Sequence, residues 1–125
     1  MGESAPLVAV VDDEPGVCRA LGRLLRSAGF EVVTFTEGTE FLKFVDERKV
    51  DCAVFDLHMP HLGGLDLQSR LDQAGKRVPV VLITGQESQE TQRRAMEAGA
   101  VAYLRKPTDE KQLVAAVAKG IGRAS

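Results

Sequence analysis

Five short runs of apolar, mostly β-branched residues alternate with five segments in which apolar residues recur at helical spacing. An apolar run of four to six residues bounded by turn residues is typical of a buried strand. Strands that alternate with helices predict right-handed crossovers and a parallel sheet covered on both faces. We therefore expect a doubly wound, flavodoxin-like α/β fold with strand order 2-1-3-4-5 and five helices. The predicted strands are residues 7–11, 31–35, 52–55, 80–83 and 101–104.

The residues between these runs indicate where the helices begin and end. Pro15 suits a first helical turn, because its missing N–H would have no partner there. Three helical segments close with Ala-Gly, at 28–29, 74–75 and 98–99, and glycine is favoured just past a helix end. No linker or low-complexity tract interrupts the pattern, so we predict a single domain over 1–125, ordered from about 6 to 122. The remaining helices are marked by Phe41, Leu42 and Val45 and by Leu113, Ala116, Val117 and Ile121.

Composition narrows the class of protein. Hydrophobic residues make up 44% and charged residues 27%, and the net charge of −2 is spread over mixed acidic and basic positions. Direct nucleic-acid binding would need a basic stripe, which is absent. The sequence shows neither a signal peptide nor an apolar span of membrane length, which predicts a cytoplasmic protein without membrane contact. Cys18 and Cys52 have no metal-ligand spacing and are expected to be buried, reduced thiols.

Polar or charged residues that could take part in chemistry follow four of the five predicted strands. Asp12 and Asp13 follow the first strand, Asp56 the third, Thr84 the fourth, and Lys106 comes shortly after the fifth. The carboxyl ends of parallel strands lie at one edge of the sheet, and the first and third strands are neighbours in the expected order. The three carboxylates should therefore converge.

Converging carboxylates need compensation. Two unit charges about 5 Å apart repel by roughly 3 kcal/mol at an effective dielectric constant of 20. The group would protonate in part or recruit a hard divalent cation such as Mg²⁺, which prefers oxygen ligands. A ligand that could contact the metal, the Lys106 ammonium and the Thr84 hydroxyl together is a phosphoryl group. Asp56 is then the expected nucleophile, and its product would be an acyl phosphate.

The sequence also resembles the receiver domain of bacterial two-component response regulators, over nearly its whole length. Each matching stretch is a weak signal alone, but the four occur in order and at receiver spacing. One departure is Thr108, where many receivers have phenylalanine after Lys-Pro, and it affects packing more than chemistry. The matching stretches are Val11-Asp12-Asp13-Glu14, Phe55-Asp56-Leu57-His58-Met59-Pro60 with Gly63-Gly64, Leu82-Ile83-Thr84-Gly85 and Tyr103-Leu104-Arg105-Lys106-Pro107.

The resemblance implies a role for each of these positions. Asp56 would accept a phosphoryl group from a sensor histidine kinase or a phosphotransfer protein. Mg²⁺ or Mn²⁺ would be held by Asp12, Asp13, Asp56 and the backbone carbonyl of His58. Thr84 and Lys106 would contact the phosphoryl oxygens, and the Lys106–Pro107 peptide bond would be cis. Gly85 would leave room for the phosphoryl group to approach.

We expect a switch rather than an enzyme, with only slow self-dephosphorylation. In this hypothesis the free hydroxyl of Thr84 moves towards the phosphoryl group, and Tyr103 turns inward to fill the space. The surface made by the fourth helix, fifth strand and fifth helix would then bind an effector domain or a second copy. Its affinity would depend on phosphorylation through a population shift.

These residues also have other interpretations. Asp12 and Asp13 could cap a helix, and Asp56 could be a turn residue. An aspartyl-nucleophile phosphatase would need a second aspartate two residues after Asp56, where this chain has His58. A receiver-like adaptor that works without phosphorylation is disfavoured by the intact acidic set and Lys106. His58 and His61 lie in a loop, so a histidine metal pair is disfavoured as well.

Overall fold

The computed structural model describes residues 5–86 and 88–124, with side chains described as far as residue 122. One five-stranded sheet has the order β2-β1-β3-β4-β5, and every neighbouring pair is parallel. The predicted fold class is confirmed. The strands are β1 Leu7–Val11, β2 Glu31–Phe35, β3 Cys52–Asp56, β4 Val80–Thr84 and β5 Ala102–Arg105.

The helices follow the predicted alternation. Pro15 begins α1, and the Ala-Gly pairs at 28–29, 74–75 and 98–99 end α1, α3 and α4. The three glycines have φ values of 100°, 70° and 98°, in the region that glycine adopts at least cost. The helices are α1 Pro15–Ser27, α2 Gly38–Glu47, α3 Gly64–Gln73, α4 Gln89–Glu97 and α5 Glu110–Ala124.

Two apolar cores sandwich the sheet. Strands β1, β3 and β4 are buried along their whole length. Their nearly continuous apolar sequences allow this, because both faces of each strand are covered. One core packs α2, α3 and α4 on one face of the sheet, with Phe41, Phe55 and Leu67 fully buried. The other packs α1 and α5 on the opposite face around Leu25 and Leu113. Cys18 and Cys52 are free and buried in this second core, as predicted.

The bounds of four elements differ slightly from the predictions, and two of the differences concern polar residues. Asp56 and Thr84 are the last residues of β3 and β4, so strand pairing extends as far as these side chains. Strand β5 is shifted by one residue and runs to Arg105. Helix α4 begins at Gln89 because the Ser88 hydroxyl accepts a hydrogen bond from the Thr91 N–H as its N-cap. No helix among the described residues has the length and apolar character to span a membrane.

Candidate functional site

An acidic pocket lies at the carboxyl edge of the sheet, where β1 and β3 pair side by side. Val11 pairs with Phe55, so Asp12 and Asp56 leave adjacent strands at the same level. One carboxylate oxygen from each of Asp12, Asp13 and Asp56 lies within 4.8 Å of the others. Asp12 is fully buried and Asp56 is 4% exposed, whereas Asp13 faces solvent. The structure thus brings together the three carboxylates that the strand-end argument grouped.

Lys106 supplies the positive charge of the pocket. Its Nζ lies 2.9 Å from Asp12 Oδ2, 3.5 Å from Asp56 Oδ2 and 3.7 Å from Glu14 Oε1. The Lys106 N–H donates to the Thr84 carbonyl at 2.7 Å, which fixes the loop after β5 to the end of β4. The Lys106–Pro107 peptide bond is cis. Lys106 is therefore an internal counter-ion for Asp12 and Asp56.

Backbone donors orient the two buried carboxylates. Asp12 Oδ1 accepts a 2.9 Å hydrogen bond from the Glu14 N–H, and Asp56 Oδ1 accepts one of 3.3 Å from the His58 N–H. The Cys18 thiol donates to the Asp12 carbonyl at 3.2 Å. Asp12 Oδ2 has no hydrogen bond of good geometry, and Lys106 Nζ lies 2.9 Å from it. The Lys106 ammonium therefore supplies the positive charge that faces this buried oxygen.

The pKa values follow from burial and charge. Burial raises the pKa of Asp56, the nearby Asp12 carboxylate raises it further, and Lys106 offsets only part of the shift. Partial burial acts to lower the pKa of Lys106. Its hydrogen-bond-length contact with Asp12 and the charges of Asp12, Asp56 and Glu14 outweigh burial, and the net pKa is raised. Asp56 is consequently a carboxylate whose negative charge is incompletely compensated.

The donor set fits a hard divalent cation. Three carboxylate oxygens converge, and Asp12 Oδ2 is a buried acceptor without a hydrogen-bond donor. Oxygen-only donor sets with one or two carboxylates suit Mg²⁺, which keeps several waters, and Asp13 is the exposed member of this set. Among the described residues, no other group of three or more His, Cys, Asp or Glu converges in this way. His58 has an exposed side chain, and neither it nor His61 belongs to the acidic group.

Thr84 lies next to the pocket, but its hydroxyl is not free. Asp56 pairs with Ile83 across the sheet, so the fully buried Thr84 follows one residue beyond that level. Its Oγ1 donates to the Gln86 carbonyl at 3.0 Å and accepts from the Gln86 N–H at 3.1 Å. The expectation of a free Thr84 hydroxyl was wrong, because the two-residue turn to Gln86 satisfies it locally. A Cβ added at Gly85 would meet no atom within 4 Å, so there is open space beside Thr84.

Tyr103 also differs from the expected starting position. Its side chain is half-buried against the core that packs α2, α3 and α4, and its hydroxyl oxygen is buried without a hydrogen-bond partner among the described residues. The hydroxyl end therefore already points inward. Any movement of Tyr103 in the proposed response starts from this position.

Two residues of the pocket region were not predicted as site residues. Glu14 brings a fourth carboxylate to 3.7 Å from Lys106 Nζ, and Gln86 holds the Thr84 hydroxyl. Glu14 could have been found from its place directly after Asp12-Asp13 in the matching stretch. Gln86 carries no comparable signal, because its contribution comes from its backbone carbonyl and N–H.

Comparisons with known proteins agree with this geometry. A family model described as the response regulator receiver domain matches residues 8–118. The response regulator protein TmoT of Ectopseudomonas mendocina is 33% identical over 117 residues, which cover 94% of this chain and 53% of TmoT. The transcriptional regulatory protein PrrA of Mycobacterium leprae is 40% identical over 116 residues, 93% of this chain and 50% of PrrA. The chain thus spans about half the length of these curated relatives.

The fold is also similar to those of solved response regulator structures. A response regulator receiver protein from Burkholderia phymatum is 41% identical, with a TM-score of 0.82 and coverage of 94% of this chain and 95% of that one. Full-length FixJ from B. japonicum is 31% identical with a TM-score of 0.90, and the match covers 98% of this chain and 61% of FixJ.

Proposed function

The chain belongs to the response regulator receiver domain family, and from this premise we propose that it is a signalling switch turned on by phosphorylation of Asp56. Proteins of this family are in general signalling modules rather than enzymes, and their receiver domains bind Mg²⁺ at an acidic pocket. The proposal assigns Asp56 as phosphoacceptor and Asp12, Asp13 and Asp56, with the His58 carbonyl, as metal ligands.

The observation that carries the proposal is the environment of Asp56. This buried carboxylate ends a central strand, lies near two further carboxylates, and has a lysine ammonium 3.5 Å from Oδ2. A structural ion pair would need only one acid and one base. The three clustered aspartates, with Glu14 also near Lys106, leave excess negative charge around one lysine, which suits a site that receives both a cation and a phosphoryl group.

The covalent step that we propose is a phosphoryl transfer. An Asp56 carboxylate oxygen attacks the phosphorus of a phosphohistidine, a P–O bond forms, and the P–N bond breaks. The imidazole leaves with its bonding electron pair and takes up a proton from solvent, so the charge balances. Bound Mg²⁺ would supply positive charge to the phosphoryl oxygens in this step.

The chain's own residues position the reactants. The His58 N–H holds Asp56 Oδ1, which limits rotation of the nucleophile. Lys106 already faces Asp56 Oδ2 and would contact the phosphoryl oxygens after transfer, because these carry more negative charge than the carboxylate. Its hydrogen bond to the Thr84 carbonyl links this contact to the end of β4.

The conformational response is proposed to begin at Thr84. To donate to a phosphoryl oxygen, its hydroxyl must leave the Gln86 carbonyl, which opens the turn that precedes α4. Gly85 adjoins open space, so its backbone has room to move. Tyr103 takes part as the inward-facing side chain against which the moving segment repacks, rather than by turning inward itself.

Partners follow from this assignment. The phosphodonor would be a sensor histidine kinase or a phosphotransfer protein, and the responding surface of α4, β5 and α5 would bind an effector domain or a second copy. The two free, buried thiols are compatible with the cytoplasmic location that we propose. No direct binding of nucleic acid or membrane is assigned to this domain.

Intact mass after incubation with acetyl phosphate and Mg²⁺ tests the proposal. The parent should gain one phosphoryl group, and chelation of the metal should abolish the gain. Asp56→Asn should not be labelled, because an amide is not a nucleophile for this transfer. Asp46→Asn, which changes an exposed aspartate of α2, is the matched control and should be labelled like the parent. Equal labelling of Asp56→Asn and the parent would show that the acceptor is elsewhere.

A further inference from the structure

Helix α4 is attached to the rest of the domain near one end. Of its residues, Ala95 alone is buried, and it has no exposed surface. In the first half of the helix, Thr91 is half-buried and the other side chains face solvent. The ion pairs of Arg93 with Glu90 and Glu97 are internal to the helix and exposed. Apolar packing therefore stabilises the second half of α4 far more than the first.

A buried glutamine of α3 strengthens the same end. Gln68 is 7% exposed, and its Nε2 donates a 3.3 Å hydrogen bond to the Ala95 carbonyl. That carbonyl also accepts from the Ala100 N–H at 3.1 Å, which closes the turn after the helix. The Gln68 Oε1 is buried and has no partner among the described residues. The bond to the Ala95 carbonyl is thus the hydrogen bond that the structure describes for this side chain.

The other end of α4 depends on local hydrogen bonds. The Thr84 hydroxyl bonds to Gln86, and Ser88 bonds to Thr91. Within the ranges that the structure describes, these bonds join residues two or three positions apart, and none of them reaches another helix. The proposed signal enters at this locally held end.

We infer that Gln68 is a positioning residue that anchors the C-terminal half of α4 to α3, so that a rearrangement started at the Thr84–Gln86 turn moves the N-terminal half of α4 alone. The inference rests on the proposed phosphorylation switch. It assigns to Gln68, which lies outside the acidic pocket, the role of limiting how far the response spreads.

Gln68→Met separates this role from simple stabilisation. Methionine has nearly the same length and keeps the packing, but it lacks the donor. The Ala95 carbonyl keeps its bond to the Ala100 N–H, and the unpartnered Oε1 is removed. Global stability should therefore stay equal or rise, because loss of an unsatisfied buried acceptor is favourable. Local protection near Ala95 should nevertheless fall.

Amide hydrogen exchange on the parent and on Gln68→Met, with and without Mg²⁺ and beryllofluoride, tests the inference. Gln73→Met, at an exposed position of the same helix, is the control. Without ligand, the amides of residues 98–100 should exchange roughly three- to tenfold faster in Gln68→Met than in the parent, as expected for loss of one hydrogen bond. When beryllofluoride is added to the parent, amide exchange rates should change at residues 88–93 and not at 95–100. In Gln68→Met the change in exchange rates should extend through residue 100.

The results of this experiment distinguish failure of the Gln68 anchor from failure of the proposed switch. Unchanged exchange at 98–100 in Gln68→Met would overturn the anchor, and so would a parent in which beryllofluoride alters 95–100 as much as 88–93. A parallel fall in global stability and local protection would show that Gln68 only stabilises the fold, and this result would also overturn the inference. If beryllofluoride causes no change around Asp56, the proposed switch fails, while the comparison without ligand still tests the anchor.

Discussion

Asp56 and its neighbours form a group of charges that is poorly balanced without a bound cation. Burial and the Asp12 carboxylate raise the pKa of Asp56 above that of an exposed aspartate. The folded protein then binds a proton more tightly than the unfolded chain does. Ionisation of Asp56 consequently opposes folding. The penalty is absent at a pH below the pKa of the unfolded chain and complete above the raised pKa of the folded protein.

Asp56→Asn should therefore stabilise the metal-free protein. We expect the free energy of unfolding to rise by roughly 1 kcal/mol at pH 7.5 in the presence of a chelator. The gain should shrink as the pH falls towards 4, because the parent then becomes protonated at Asp56 and loses its penalty. Urea denaturation across this pH range measures the effect, with Asp46→Asn as the exposed control. A gain that stays constant down to pH 4 would contradict the assignment of the penalty to Asp56 ionisation.

Lys106 should have the opposite effect on stability. Its raised pKa means that its contribution is complete below the pKa of an unfolded-chain lysine and is lost only above the pKa of the folded protein, so it is present in full at pH 7. Lys106→Met should lower the free energy of unfolding by about 1–3 kcal/mol without metal. Mg²⁺ should bind about tenfold tighter, because a competing positive charge near Asp12 and Asp56 is gone.

Urea denaturation with a chelator and calorimetric titration with Mg²⁺ measure the two effects of Lys106→Met. Lys43→Met, on the exposed surface of α2, controls for the loss of one positive charge. If the Lys106 and Lys43 variants behaved alike, the ammonium would not be the counter-ion of the pocket.

At this scale the sequence located the charged residues but not the orientation of the neutral ones. Asp12, Asp56 and Lys106 could be grouped because strand ends fix where a backbone leaves the sheet. The Thr84 hydroxyl was wrongly expected to be free, because its rotamer depends on a two-residue turn to Gln86. Gln68 had a detectable signal, since it lies in the apolar stripe of α3 with Leu67 and Leu71.

Among the elements, the helix ends were the most predictable feature. The Ala-Gly pairs specify termini because glycine accepts a positive φ, and Gly29, Gly75 and Gly99 all have one. Strands β1 and β2 match their predicted ranges in full. The shift of β5 by one residue could not be predicted, since its register is set by pairing with β4 and not by its own short sequence.

Gly75→Ala should destabilise the protein through the backbone alone. Its φ is 70°, and an added Cβ would meet no atom within 4 Å, so no clash contributes. We expect a loss of about 1–2 kcal/mol in urea denaturation, the cost of the left-handed conformation for an L-residue. Gly122→Ala, within α5 and also without close atoms, should instead gain about 0.5–1 kcal/mol. If the free energy of unfolding changed in the same direction in Gly75→Ala and Gly122→Ala, this explanation would be contradicted.

The whole molecule connects a surface pocket at one edge of the sheet to a core that reaches the opposite edge. Cys52 begins β3, the strand that ends in Asp56, and it has no exposed surface. Burial raises the pKa of the Cys52 thiol to about 12. The reactive thiolate is thus scarce in the native state and the sulfur is inaccessible. Alkylation of Cys52 should therefore require opening of the central sheet, which is equivalent to global unfolding.

Ligand binding at Asp56 should then protect a thiol at the far end of the same strand. A ligand that binds only the folded state lowers the unfolded fraction by a factor of one plus the ratio of free ligand concentration to Kd. Mg²⁺ with beryllofluoride at about 100 times the dissociation constant should therefore slow alkylation of Cys52 roughly 100-fold. Peptide mass spectrometry of iodoacetamide-treated protein measures the rate, and Asp56→Asn should show no slowing. The near edge offers an internal comparison in Cys18, which contacts the Asp12 carbonyl and should be protected at least as strongly. Equal alkylation of Cys52 with and without bound ligand would mean that the thiol is reached by local opening, and that pocket and core do not unfold as one cooperative unit.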